Sequence, residues 1–145
     1  APSYSPDGDF ITFESDRSGS QKIYVMNLTT KKIKRISFGK GKYATPVWSP
    51  RGDLIAFTKL LGGEFYIGVM YTDGKGERVV YKSYLVEGPT WSPNGRVLSF
   101  YSQTKFSKGK ISSPKIKLVD LTGVNLRELI TPSDASDPSW SGLLP

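Results

Sequence analysis

The 145-residue sequence predicts an all-β fold, a β-propeller fragment of about three four-stranded antiparallel blades followed by a closing C-terminal strand. Three observations carry that expectation. One stretch is written four times, as Pro2-Ser3-Tyr4-Ser5-Pro6-Asp7-Gly8, Pro46-Val47-Trp48-Ser49-Pro50-Arg51-Gly52, Pro89-Thr90-Trp91-Ser92-Pro93-Asn94-Gly95 and, in broken form, Pro138-Ser139-Trp140-Ser141-Gly142. Its aromatic recurs after 44, 43 and 49 residues, near the ~40 to 45 residues of a propeller blade. An apolar run rich in aromatic and branched residues follows each complete copy, and no helix of useful length is legible.

The repeated stretch codes for a hairpin. In Ser-Pro-x-Gly the serine suits the first turn position, proline presets φ for the second, and glycine accepts the positive φ that ends the turn. The aromatic therefore lies on the strand before the turn and the apolar run is its partner. Each repeat divides into runs A to D. The first blade, 1–38, has A at Ser3–Ser5, B at Phe10–Ser15, C at Lys22–Leu28 and D at Ile33–Phe38. The second, 46–81, has Val47–Ser49, Leu54–Lys59, Phe65–Tyr71 and Glu77–Tyr81. The third, 89–131, has Thr90–Ser92, Val97–Tyr101, Lys115–Leu121 and Asn125–Ile130, and 137–141 is a lone strand A.

Runs B and C are apolar on both faces, as in Ile23-Tyr24-Val25-Met26, whereas D alternates, as in Lys34-Arg35-Ile36-Ser37-Phe38. Sheets covered on both sides lose the alternation and a solvent-facing edge regains it, which describes meanders stacked face to face with D outermost. A solenoid stacks shorter coils, and a sandwich has no reason to repeat one hairpin signature at this spacing. The motif aromatics Tyr4, Trp48, Trp91 and Trp140 are expected in the core, where blade meets blade. An unpaired last strand and open blade faces make self-association of the chain an expectation as well.

Composition narrows the chemistry. The chain has no Cys and no His, so thiol nucleophiles, Ser-His triads, the usual zinc ligand sets and histidine proton shuttles are excluded within it. Neither a phosphate loop nor a serine elbow is present, and no cofactor is implied. No apolar run approaches the ~18 to 20 residues of a membrane-spanning helix. The first residues are already repeat motif without an initiator Met, which reads as a piece of a longer protein. Twenty Lys and Arg against 13 Asp and Glu leave a net charge of +7. The lysines are spread over several turns with no recognition helix or RNA-binding fingerprint, so a lysine-rich solvated surface is expected and nucleic acid is not.

Several strings resemble the propeller domain of the TolB family, periplasmic components of the Tol-Pal envelope system. They are Trp48-Ser49-Pro50-Arg51-Gly52-Asp53-Leu54-Ile55-Ala56-Phe57, Ser15-Asp16-Arg17-Ser18-Gly19 followed by Ile23-Tyr24-Val25-Met26-Asn27-Leu28, and the terminal Asp137-Pro138-Ser139-Trp140-Ser141. The sequence departs from the family pattern where Tyr4 replaces Trp and where Arg51 and Asn94 replace the common Asp. The resemblance covers the whole chain and implies half of a six-bladed ring whose last strand closes the circle. It also implies a non-enzymatic periplasmic scaffold that binds the peptidoglycan-associated lipoprotein Pal and inner-membrane Tol proteins, supporting outer-membrane integrity and cell division. The alternative is the substrate-gating propeller of a serine peptidase of the prolyl oligopeptidase type.

Tracing the meander places A-B and C-D turns on one rim, and B-C loops and D-to-A crossings on the other. The crossings 39–45, 82–88 and 131–137 differ between blades while the opposite turns repeat. A variable rim on a rigid scaffold is where recognition is expected. Lys42, Tyr43, Thr45, Tyr84, Glu87, Asp134 and Asp137 are the candidate partner-binding residues, with Tyr84 as anchor. The long third B-C loop carries Lys105, Phe106, Lys108 and Lys110, a secondary basic site for an acidic protein or a membrane surface. Asp134 and Asp137 supply two carboxylates near the axis, short of the six to eight oxygens calcium takes, so no metal site is assigned.

Overall fold

Twelve strands form three antiparallel sheets in the computed structural model, which describes residues 2–105, 108–129 and 138–140. The first sheet runs β1 (Ser3–Tyr4), β2 (Phe10–Ser15), β3 (Lys22–Asn27) and β4 (Ile33–Arg35) in chain order. The second runs β5 (Lys42–Trp48), β6 (Leu54–Leu61), β7 (Glu64–Tyr71) and β8 (Arg78–Ser83). The third runs β9 (Leu85–Trp91), β10 (Val97–Gln103), β11 (Lys115–Asp120) and β12 (Arg127–Leu129). Each is a simple meander, and the three are the blades of a propeller fragment.

The motif serine does more than favour a turn. Ser5, Ser49 and Ser92 are buried, and the glycine of each motif donates its N–H to the serine carbonyl at 2.9 to 3.0 Å. The Ser5 hydroxyl accepts from Phe10 N at 3.0 Å and donates to Asp7 Oδ1 at 2.6 Å. Ser92 does the same with Val97 N and Asn94 Oδ1, at 3.0 and 2.6 Å. Arg51 offers no such acceptor, and the Ser49 hydroxyl accepts the Arg51 N–H instead, at 3.2 Å. Thus Asp or Asn at the third motif position locks the serine rotamer, and the turn survives without it.

Each blade leans back on its predecessor. Trp48 donates its backbone N–H to Ser3 Oγ at 3.0 Å and stacks on Phe10 with ring centroids 6.2 Å apart. Trp91 donates its indole N–H to the Val47 carbonyl at 2.9 Å. Around these rings, Ile23, Ile36, Tyr43, Ile55, Phe57 and Met70 fill the contact between blades one and two. Leu54, Ala56, Val69, Leu98, Phe100 and Val119 belong to the contact between blades two and three. Neighbouring residues of β6 thus point into different cores, which is why Leu54 to Thr58 are all buried and the run shows no alternation.

The expectation of core aromatics needs correcting at two of the four motif positions. Trp48 and Trp91 are 8% and 6% exposed, but Tyr4 and Trp140 are 64% and 38% exposed. Trp48 and Trp91 are each covered by the blade before them, and among the described residues no blade precedes Tyr4. Trp140 lines an apolar groove with Leu118, Ile116 and Leu129 of the third blade, and its other side is uncovered among the described residues. Of the expected closing strand 137–141, only residues 138–140 are described, and they carry no strand pairing.

The inner strands begin earlier than their motif, at Lys42 and Leu85 rather than at Val47 and Thr90. Both slip register beside the motif proline, between Ala44 and Val47 and between Glu87 and Thr90. Proline has no N–H for the ladder, so the strand bulges there. The residue before each proline takes positive φ, +47° at Thr45 and +68° at Gly88.

Candidate functional site

The candidate site is the rim carrying the B-C loops and the crossings between sheets. The first crossing is held from inside by a lysine. Lys22, at the start of β3, is 6% exposed, and its ammonium donates to the Gly39 and Gly41 carbonyls, both at 2.7 Å. It also stands 5.0 Å from the centre of the Tyr43 ring, a cation–π distance. Burial, then repulsion from Arg35 and Lys59, draws its pKa below the ordinary lysine value. The sequence carries no signal for this clamp, because a lysine opening a strand ordinarily reads as surface.

Tyr43 is fully buried, so its expected role as an exposed contact is corrected to that of a core residue. Its ring packs on Phe57 at 5.2 Å, and its hydroxyl donates to Glu77 Oε1 at 2.6 Å. Burial and that carboxylate hold its pKa above the ordinary tyrosine value. Lys59 pairs with Glu77 Oε2 at 2.9 Å and also faces the Tyr43 ring. Burial opposes the charge on Lys59, but Glu77 and Tyr43 outweigh it and hold its pKa above the usual lysine range. Thr45 is half-buried, with its hydroxyl 2.8 Å from that of Thr58 and its N–H donating to Glu14 Oε2 at 3.3 Å. A β-branched residue at positive φ is held there against its preference. Lys42 is exposed and lies opposite Leu60 in the ladder.

The second crossing presents its aromatic outward. Tyr84 is 39% exposed, while the next but one residue, Val86, is fully buried and anchors the segment. Ser83 donates its hydroxyl to the Gln103 carbonyl at 2.9 Å, tying the crossing to the end of β10. The Glu87 backbone lies opposite Tyr101 in the ladder. Lys105 extends its ammonium over the Tyr84 ring, 5.7 Å from the centroid. The crossing and the basic loop, separate in sequence, therefore meet. Lys108 and Lys110 are exposed further out on the loop. Phe106, Asp134 and Asp137 lie outside the described residues. Among the described residues no group of three or more carboxylates is placed to hold a metal ion.

The opposite rim carries a feature the sequence reading did not anticipate. Tyr4, Trp48, Trp91 and Trp140 line one cleft of about 400 Å³ together with the turn prolines Pro50 and Pro93. The four aromatics, expected in the core where blade meets blade, thus converge from all four motif copies. The common 43 to 49 residue spacing was the available signal.

A family model described as the TolB beta propeller domain matches residues 1–144. The chain is 48% identical to the Tol-Pal system protein TolB of Gluconobacter oxydans, over 97% of this chain and 41% of that protein. It superposes on the structure of TolB from Acinetobacter baumannii with a TM-score of 0.81 at 23% identity, covering 95% of this chain and 34% of that one. On the putative TolB from Agrobacterium tumefaciens the TM-score is 0.78 at 24% identity, with 96% and 53% covered. Those two structural likenesses speak for the fold. The chain spans less than half the length of the Gluconobacter relative. On the family match and that relative, this chain belongs to the TolB β-propeller family.

Proposed function

We propose that the chain is the partner-docking part of a non-enzymatic Tol-Pal propeller in the periplasm. Its rim of crossings and B-C loops captures the Pal lipoprotein, and the parent protein links Pal to inner-membrane Tol components in support of outer-membrane integrity and division. The observation that carries this reading is the combination of a rigid crossing with outward side chains. Lys22 and Val86 pin the crossings from within, while Lys42, Tyr84 and Lys105 are directed to solvent. A surface ordered before binding loses less entropy on association. Membership of the TolB family, and relatives named as Tol-Pal system proteins, support the choice of partner.

The test is capture of purified Pal by the 145-residue chain, compared between rims. Lys42→Ala combined with Tyr84→Ala is expected to weaken capture about tenfold or more, as removal of an aromatic anchor does. Arg51→Ala combined with Asn94→Ala, on the opposite rim, is expected to leave it unchanged. The reverse pattern would reject the assignment of the rim.

A further inference from the structure

We infer that the groove between the second and third blades is a carboxylate-binding site for an acidic peptide segment of a partner protein. The groove has a volume of about 490 Å³ and is lined by Glu64, Tyr81, Lys82, Tyr84, Thr104 and Lys105, among others. It deepens the proposed function, resting on the reading of this rim as the docking surface.

The walls come from three segments that the fold holds in place. Lys82 and Tyr84 end the second blade, Glu64 opens β7, and Thr104 and Lys105 follow β10. The long loop continues that strand as a narrow ladder. Ser112 N donates to the Thr104 carbonyl at 2.8 Å, Thr104 N donates to Ser112 Oγ at 2.9 Å, and Lys105 bridges to Ile111. The Lys105 backbone is therefore fixed at the lip of the groove.

Charge in the groove is unbalanced. Lys105 has no carboxylate partner among the described residues, its ammonium facing the Tyr84 ring instead. Lys82 pairs with Glu64 at 3.2 Å, but both side chains are about half exposed. Such a pair contributes little and exchanges readily, so an incoming carboxylate can replace Glu64. At the floor, the Tyr81 hydroxyl accepts from the Lys117 ammonium at 3.0 Å. Two lysines, Lys82 and Lys105, thus line the groove, Lys117 reaches its Tyr81 wall, and among the described residues Glu64 is the lining carboxylate. Tyr84 adds a partly exposed ring able to cover an apolar neighbour of the bound acid. The concave shape favours a peptide over the flat surface of a membrane.

The experiment is amide NMR of the chain titrated with a capped pentapeptide, Gly-Asp-Glu-Phe-Gly, and with its Asn-Gln counterpart. Sedimentation with vesicles containing phosphatidylglycerol runs in parallel. The acidic peptide is expected to shift the amides of Gly63, Ser83, Tyr84 and Lys105, the uncharged one to leave them in place, and salt raised from about 50 to about 300 mM to weaken the effect. Lys105→Glu is expected to weaken the peptide about tenfold or more, and Arg51→Glu to leave it unchanged. Equal shifts with both peptides, no effect of Lys105→Glu, or Lys105-dependent binding to vesicles without peptide binding would each overturn the inference. Pal capture that depends on Tyr84 while no peptide titrates rejects the groove alone. A groove that titrates while Pal capture ignores Lys42 and Tyr84 rejects the rim reading alone.

Discussion

The Tyr43 hydroxyl donates to one oxygen of Glu77 at 2.6 Å while the Lys59 ammonium holds the other at 2.9 Å. This arrangement joins the inner strand of the second blade to its outer edge beneath the first crossing. Tyr43→Phe removes the hydroxyl and keeps the ring on Phe57. It is expected to lower the unfolding free energy by about 1 to 3 kcal/mol, the cost of a broken bond to a charged acceptor. Urea unfolding checks the loss. Pal capture measured far below the transition is expected to be unchanged, since the ring is buried.

Alkaline titration distinguishes the two blade contacts. Tyr43 has a raised pKa, from burial and Glu77. Its contribution to stability is therefore full below the unfolded tyrosine pKa and is lost as pH rises through the folded one. Tyr81 behaves oppositely. Burial pushes its pKa up, but Lys117 at 3.0 Å, with neighbouring serine hydroxyls, outweighs this and lowers it. Its folded form releases the proton first, so stability rises with pH across that window. Between about pH 9 and 11, Tyr43→Phe is expected to flatten the alkaline loss of stability and Tyr81→Phe to steepen it. Urea midpoints across that range report both slopes.

Gly74 sits at φ +90° in the turn after β7, and a Cβ there would lie 1.9 Å from the Ile36 carbonyl oxygen of the neighbouring blade. Gly74→Ala must push the two blades apart and is expected to cost about 3 kcal/mol or more. Gly62, at φ +60° with nothing within 4 Å of the same position, provides the contrast. Gly62→Ala carries only the backbone penalty, about 1 kcal/mol. Thermal and urea unfolding of the two variants separate close approach from conformational preference.

The repeated aromatics are unequal. Trp91→Ala removes a ring that is 6% exposed and leaves the Val47 carbonyl without its indole donor, so a loss of about 3 to 5 kcal/mol is expected. Tyr4→Ala, at 64% exposure, is expected to cost less than about 1 kcal/mol. Comparable losses at the two positions would contradict the finding that Trp91 is buried between its own blade and the one before it while Tyr4 is exposed.

The hairpins were legible because their determinants are local. Ser-Pro-x-Gly specifies its own turn, and β2 spans Phe10–Ser15 as its branched and aromatic run indicates. The site was less so. Tyr43 in a variable crossing reads as an exposed aromatic, and its burial depends on Glu77 and Phe57, which only the folded second blade brings to it. The clamp made by Lys22 is equally invisible, since its acceptors are backbone carbonyls that any sequence supplies. Tyr84 and Lys105 were each legible as candidates, but their meeting required the pairing of β9 with β10 and the ladder beyond it.

Hydrogen–deuterium exchange of the chain with and without Pal tests the central claim most directly. Protection is expected at the crossings 39–45 and 82–88 and around Lys105, with the turns 50–53 and 93–96 exchanging as before. Protection confined to those turns and to the aromatic cleft between them would show that Pal docks on the other rim.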